Sequence, residues 1–143
     1  MLFPEKIAEL MGGPAILGKK IRSLSDLERS VSGGLPKSSL RHVVDRIYSE
    51  KGEARRALYL VVPEATFKRR TKLSAEESGK TERLARVIAL AEHVWDDREE
   101  AREWLTKPHM ELDGKTPMAA AMTELGARQG EELLNKLFFG LPG

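Results

Sequence analysis

Three histidines, His42, His93 and His109, and no cysteine make up the supply of metal-ligating side chains of the softer kind in this chain of 143 residues. The histidines stand far apart in sequence. None has a carboxylate or a second histidine at the spacing of a metal-binding motif, so no metal centre is expected. Without cysteine there is no thiolate nucleophile and no disulfide framework, a composition that suits a reducing compartment. No serine stands in a strand-to-helix elbow with an acid and a base following it. The pairs Gly12-Gly13 and Gly33-Gly34 lack the strand and lysine of a phosphate loop. Asp96-Asp97 and Glu99-Glu100 read as a cap and a negatively charged first helical turn rather than an acid/base pair. The residue types argue against an enzyme and against a bound cofactor, and for a protein that acts by binding.

Two clusters suit that role. Between Glu53 and Arg70 the apolar residues Ala54, Ala57, Leu58, Val61 or Val62, and Phe67 have the spacing of two short helices packed at an angle about a tight turn, as in a helix-turn-helix. The second of these helices would expose Thr66, Lys68, Arg69 and Arg70, with Lys72 just beyond, where arginines reach phosphates or guanine edges. The other cluster is the C-terminus. Leu137, Phe138 and Phe139 are consecutive, and with about 100° between neighbours on a helix they cannot all face one core. Leu141, Pro142 and the Gly143 carboxylate follow. The segment is either a docked tail that closes the core or an anchor for a partner's pocket. The charge supports two partners: residues 1–72 hold 15 Lys/Arg against 8 Asp/Glu (+7), and residues 73–143 hold 9 against 14 (−5).

Helical periodicity positions both clusters. A short helix runs from Pro4 to Met11 and ends at Gly12-Gly13. Ser25 with Glu28 forms a capping box for a second helix that Gly33-Gly34 closes. Pro36 opens a third, with Leu40, Val43, Val44 and Ile47 on one face and Gly52 breaking it. Glu53 to Leu58 is a short helix, Tyr59-Leu60-Val61-Val62 is the only strand-like stretch, and Pro63 starts a helix through Arg70. Ser74 with Glu77 caps the longest helix, whose stripe is Leu84, Val87, Ile88, Ala91 and Trp95. Asp96 with Glu99 caps the next, which Pro108 ends. Asp113-Gly114 is a turn, Thr116-Pro117 a cap and first turn, Gly126 a stop, and a last helix carries Leu133, Leu134, Leu137 and Phe138 up to Gly140.

From about Ala91 to Gly140 the chain resembles the Xre/MbcA/ParS toxin-binding domain found in antitoxins of RES–Xre toxin–antitoxin pairs. The resemblance rests on Ala91, Trp95, Asp96-Asp97, Ala101-x-x-Trp104-Leu105-x-x-Pro108, Leu112-x-Gly114-x-Thr116-Pro117, Gly126 and Leu134-x-x-Leu137-x-x-Gly140. Upstream, Gly34-Leu35-Pro36, Thr66-Phe67-Lys68-Arg69-Arg70, Leu73-Ser74 and Glu77-Ser78 resemble the family's Xre-like helix-turn-helix and linker helix. Gly130 stands where an aliphatic residue is usual, Trp95 where phenylalanine is commoner, and Gly79 where an acidic residue is usual. The resemblance implies an antitoxin that occludes the active site of a RES-domain toxin, an NAD-degrading enzyme or an ADP-ribosyltransferase, and that binds its own promoter as a dimer. Trp104, Lys136, Phe138, Phe139, Gly140, Leu141, Pro142 and Gly143 would touch the toxin, and Thr66, Lys68, Arg69, Arg70 and Lys72 the DNA.

The expectation is an all-α protein with an N-terminal helical segment (1–34), an Xre-like helix-turn-helix region (35–78) and a compact toxin-binding domain (79–143). The N-terminus lacks the basic region and apolar run of a signal peptide, and no stretch approaches the length of a membrane span, so a cytoplasmic homodimer without membrane contact is expected. The rival reading is a DNA-binding transcriptional regulator with no toxin partner.

Overall fold

The structure, a computed structural model, describes residues 3–140; expectations that fall on Leu141, Pro142 and Gly143 lie outside the described residues. Within these bounds the protein is all-α, with two isolated bridges and no sheet. The N-terminal half contains α1 (Pro4–Leu10), α2 (Gly13–Leu17), α3 (Leu24–Ser32), α4 (Lys37–Ile47), α5 (Lys51–Val61) and α6 (Glu64–Arg69). The long helix α7 (Ala75–Trp95) follows, then α8 (Arg98–Leu105), a 3-10 turn (Met110–Leu112), α9 (Pro117–Ala120) and α10 (Glu124–Phe139).

Helix α7 is the spine. Every residue from Leu84 to Ala91 except Arg86 is buried, so this stretch presents apolar surface in all directions rather than along one stripe. It packs against α1, α3, α4 and α5 on one side of the chain's midpoint and α8, α9 and α10 on the other. Each fully buried leucine, isoleucine or valine contributes about 1.5–3 kcal/mol relative to exposure. The exception, Arg86, is held by Glu82 (2.8 Å), Glu131 (3.4 Å) and Glu124 (3.8 Å), which tie α7 to α10. Burial works against the arginine's charge, but these carboxylates outweigh it and its pKa is raised. The boundary expected at residues 78/79 falls inside the first turn of this helix, so one rigid element runs through both halves.

Several local expectations are corrected by tertiary context. Ser23, not Ser25, caps α3, accepting from the Asp26 amide. Beyond the helix end expected at Gly12-Gly13, residues 13–17 form the additional helix α2. Gly52 does not break α4, which ends at Ile47; it sits in the first turn of α5, where the Glu50 carboxylate accepts from the amides of Gly52 and Glu53. The strand-like Tyr59–Val62 run belongs to the end of α5, because Val61 and Val62 bury themselves in a helical core with no neighbouring strand to pair with. At the α7–α8 corner Asp97 caps α8, while Asp96 is the left-handed cap that ends α7 (φ 50°). Gly126 does not stop α9; it lies in the first turn of α10, capped by Thr123. A β-carbon there would overlap the Ala120 carbonyl, so the glycine lets α10 close onto the end of α9.

These settings separate glycines that look alike in sequence. Gly79 lies in α7 with only the tip of Arg83 at van der Waals distance from an added β-carbon, and Gly130 would touch Val87 at 3.6 Å. Gly79→Ala is therefore expected to stabilise the fold by about 0.5–1 kcal/mol, the usual gain from removing a helical glycine. Gly126→Ala should cost about 1–3 kcal/mol by overpacking. Urea midpoints of the two variants test the opposite signs.

Candidate functional site

The two sequence-predicted clusters lie at opposite ends of α7. Glu77 near its head and His93 near its tail are sixteen residues apart, or about 24 Å along a helix.

At the head, the motif fragments noted in the sequence form one clamp. The Ser74 hydroxyl accepts from the Glu77 amide (3.1 Å) and the Glu77 carboxylate accepts from the Ser74 amide (2.8 Å), closing the predicted capping box. The same carboxylate receives the Arg70 guanidinium at 2.7 Å. Ser78 is fully buried, and its hydroxyl accepts from the Leu35 amide at 2.8 Å. The Leu35 carbonyl accepts from the Leu73 amide (2.8 Å), and the Lys37 amide donates to the Thr71 carbonyl (3.2 Å). Gly34 makes the close approach possible: its φ is +88°, and a β-carbon would stand 2.8 Å from the Leu73 carbonyl oxygen. Together these bonds pin residues 71–73, immediately after α6, to the start of α4.

Helix α6 is thereby held as the second helix of a helix-turn-helix, with Val62-Pro63 as the turn after α5. Phe67 is buried and packs edge-on against Tyr59. Lys68, Arg69 and Lys72 are exposed and Thr66 and Arg70 are half-buried, so all five predicted DNA-contacting residues reach solvent. Lys68 makes an exposed pair with Glu64 at 3.1 Å, an interaction that water and salt weaken. Arg70 differs: its guanidinium is committed to Glu77, so it positions the helix.

At the tail, α10 outruns the core. Leu134 is fully buried, whereas Leu137, Phe138 and Phe139 remain 50%, 44% and 63% exposed. The ring of Phe138 lies 5.1 Å from His93, whose other neighbour is Phe3 at 5.0 Å, and Phe139 packs edge-on against Phe138. Gly140 ends the helix in the left-handed region (φ 66°), as its position in the sequence suggested. Lys136 is exposed. Trp104 is half-buried on α8, with its ring 5.1 Å from His109 and its carbonyl 2.9 Å from the His109 Nε2. Nearby, Glu92 gathers the elements that seat this end: Arg46 of α4 reaches it at 2.7 Å and Lys6 of α1 at 3.5 Å. Burial disfavours the Glu92 charge, but Arg46 and Lys6 more than offset it and the carboxyl pKa is lowered.

Sequence reasoning missed Phe3 and His93 beneath the tip, and Lys37 and Arg41 beside α6. Lys37 Nζ donates to the Phe67 carbonyl (2.9 Å) and, like Arg41, lies over the Phe67 ring. These pairs are 26 to 90 residues apart in the chain, beyond any local spacing rule. Among the described residues no group of three or more His, Cys, Asp or Glu is arranged to hold a metal, and no helix is long and apolar enough to cross a membrane.

A basic helix-turn-helix and a compact helical module with an apolar tip, joined by one shared helix, define a two-headed binding protein. Residues 26–86 match the Antitoxin Xre-like helix-turn-helix domain, and residues 90–140 match the Antitoxin Xre/MbcA/ParS C-terminal toxin-binding domain. The chain belongs to the Xre/MbcA/ParS-type antitoxin family. It is similar to the Antitoxin Xre of Pseudomonas putida (strain KT2440), with 34% identity over 84 residues, 56% of this chain and 53% of that protein. The match thus spans about half the length of that relative.

Glu77 provides a pH test of the head clamp. Burial disfavours its charge, yet the Ser74 amide and Arg70 outweigh that and hold its pKa below the ordinary 4.5. A depressed carboxylate contributes stability above its unfolded pKa and loses it as pH falls through the folded value. Wild-type stability should therefore drop below about pH 4.5, and Glu77→Gln should be less stable at neutral pH with a shallower acid limb. Urea denaturation from about pH 7 to about pH 3 measures both.

Proposed function

We propose that this protein is an antitoxin, a non-enzymatic inhibitor that seats its C-terminal tip in the active-site cleft of a RES-domain toxin that degrades NAD or transfers ADP-ribose from it. The observation that carries the reading is the unabsorbed apolar surface of Leu137, Phe138 and Phe139 at the end of a helix rigidly seated on α7. Such a surface favours a partner that removes it from water, and the match to a toxin-binding domain runs to residue 140. The proposed contact set comprises Leu137, Phe138, Phe139, Gly140 and Lys136, with Trp104 as a second contact and Leu141, Pro142 and Gly143 as further contacts in the sequence that follows. Inhibition follows from occlusion, because a filled cleft cannot admit NAD.

At the other end, α6 enters the major groove of promoter DNA with Thr66, Lys68, Arg69 and Lys72, and Arg70 fixes its angle through Glu77. A homodimer places two such helices on a two-fold operator.

NAD consumption by a RES-domain toxin, titrated with the full chain, with Leu137→Asp/Phe139→Asp and with a chain ending at Lys136, tests the first half. The full chain should inhibit stoichiometrically. The double variant should weaken inhibition at least about a hundredfold, as expected for two anchors each worth about 2 kcal/mol. Equal inhibition by all three would move the contact to Trp104 and the earlier helices, and no inhibition by the full chain would favour a promoter regulator without a toxin. Lys68→Ala and Arg69→Ala should leave inhibition unchanged while weakening promoter-duplex binding. Each lost phosphate contact should lower the slope of log affinity against log salt by about 0.9.

A further inference from the structure

Between the first turn of α4 and helix α6 lies an open cleft of about 350 Å³ bordered by Lys37, Ser38, Arg41, Tyr59, Phe67 and Lys68. No carboxylate lines it. Lys37 Nζ stands 4.9 Å from the centre of the Phe67 ring and the Arg41 guanidinium carbon 5.4 Å from the same centre. The negative face of the ring draws both cations to one place, and the Phe67 carbonyl fixes the ammonium at 2.9 Å. Among the described residues neither Lys37 nor Arg41 is paired with a carboxylate. Arg46, Arg70, Arg86 and Arg102, by contrast, each have such a partner. Two like charges gathered over one ring without a counter-ion leave an electrostatic vacancy that an anion would fill.

We propose that this cleft binds a phosphate group. The ammonium of Lys37, the planar guanidinium of Arg41 and the hydroxyls of Ser38 and Tyr59 supply donors at several angles, which suits a tetrahedral anion with acceptors on every side better than a planar carboxylate. Its source is the backbone of the DNA that α6 enters, because Lys68 belongs both to that helix and to the rim of the cleft. This source rests on the DNA-binding role proposed above; the phosphate chemistry does not. The recognition surface then spans α4 and α6, and Phe67 serves as the ring platform that holds the two cations in place.

The test compares the full-length protein with Arg41→Gln and with Lys107→Gln, a loss of equal charge at an exposed site outside the helix-turn-helix. Arg41 is exposed and makes no side-chain hydrogen bond within the described residues, so its loss leaves the fold intact. Fluorescence anisotropy is measured on a promoter duplex and a scrambled duplex over a range of salt. Arg41→Gln is expected to weaken both duplexes by the same factor, about three- to tenfold, and to lower the salt slope by about 0.9, whereas Lys107→Gln changes neither. Arg41→Gln binding like wild type, or no worse than Lys107→Gln, would overturn the cleft and leave DNA binding through α6 standing. If the wild type binds neither duplex, the DNA role fails, and titration with inorganic pyrophosphate decides the cleft by NMR. A saturable shift of the Ser38 amide signal, absent for Arg41→Gln, would then assign it to free phosphate compounds, and no shift would overturn it.

Discussion

The carboxylate of Glu77 is the joint on which the two halves of this protein depend. It accepts from the Ser74 amide, which closes the capping box of the long helix, and from Arg70, which caps the C-terminus of α6. One side chain thus satisfies an amide at the head of α7 and sets where α6 lies. The first turn of a helix favours a negative charge, so the same residue that starts α7 well is also well placed to hold a cation. The surrounding bonds share the load: Ser78 with Leu35, and Leu73 with Leu35, fasten the segment after α6 to the start of α4. Without Glu77, Arg70 would be left half-buried without its carboxylate, and α6 would rest on the packing of Phe67, the Lys37 bond to its carbonyl and the backbone bonds after it.

From that joint α7 carries rigidity to the far end. Its middle stretch, Leu84 to Ala91, is buried except at Arg86 and has little free face along which to slide or rotate, because a shift would open gaps against several neighbours at once. The clamp on Arg86 adds a polar register mark between α7 and α10. Helix α6 and the apolar tip are therefore joined by one continuous helix rather than by a linker.

The tip itself is a deliberate excess. Helix α10 contributes Leu134 to the core and then continues past it, where Phe138 has only the ring of His93, itself stacked on Phe3, as its seat. Glu92, with Arg46 and Lys6, holds α1 and α4 against this end of α7 and so keeps Phe3 beside His93. The result is an apolar surface displayed on a firm base, which lowers the ordering cost of binding.

Much of this was legible in the chain. The helical period, the Ser74-Glu77 box, the Thr116-Pro117 start, the Asp113-Gly114 turn and the Gly140 stop depend on neighbours within four residues, and they appear where the sequence put them. The exposure of the tip followed from three consecutive large apolar side chains on one helix. Other features needed the fold. Whether a glycine breaks a helix, as expected of Gly52 and Gly126, or admits a close approach within one, depends on what packs against it. Ser23 or Ser25, and Asp96 or Asp97, are equal caps until packing fixes the turn that precedes them. Arg69 and Arg70 are adjacent and alike in sequence, and only the arrival of Glu77 commits one to structure and leaves the other to solvent. The convergence of Lys37 and Arg41 on Phe67 joins residues some thirty positions apart. Local sequence determined most of the helical segments, though not α2 or the end of α5, and which residue types stand at each end. Tertiary structure decided which of those residues are spent holding the fold and which remain free to bind, because a charge or an aromatic ring is occupied only by what the fold brings to it.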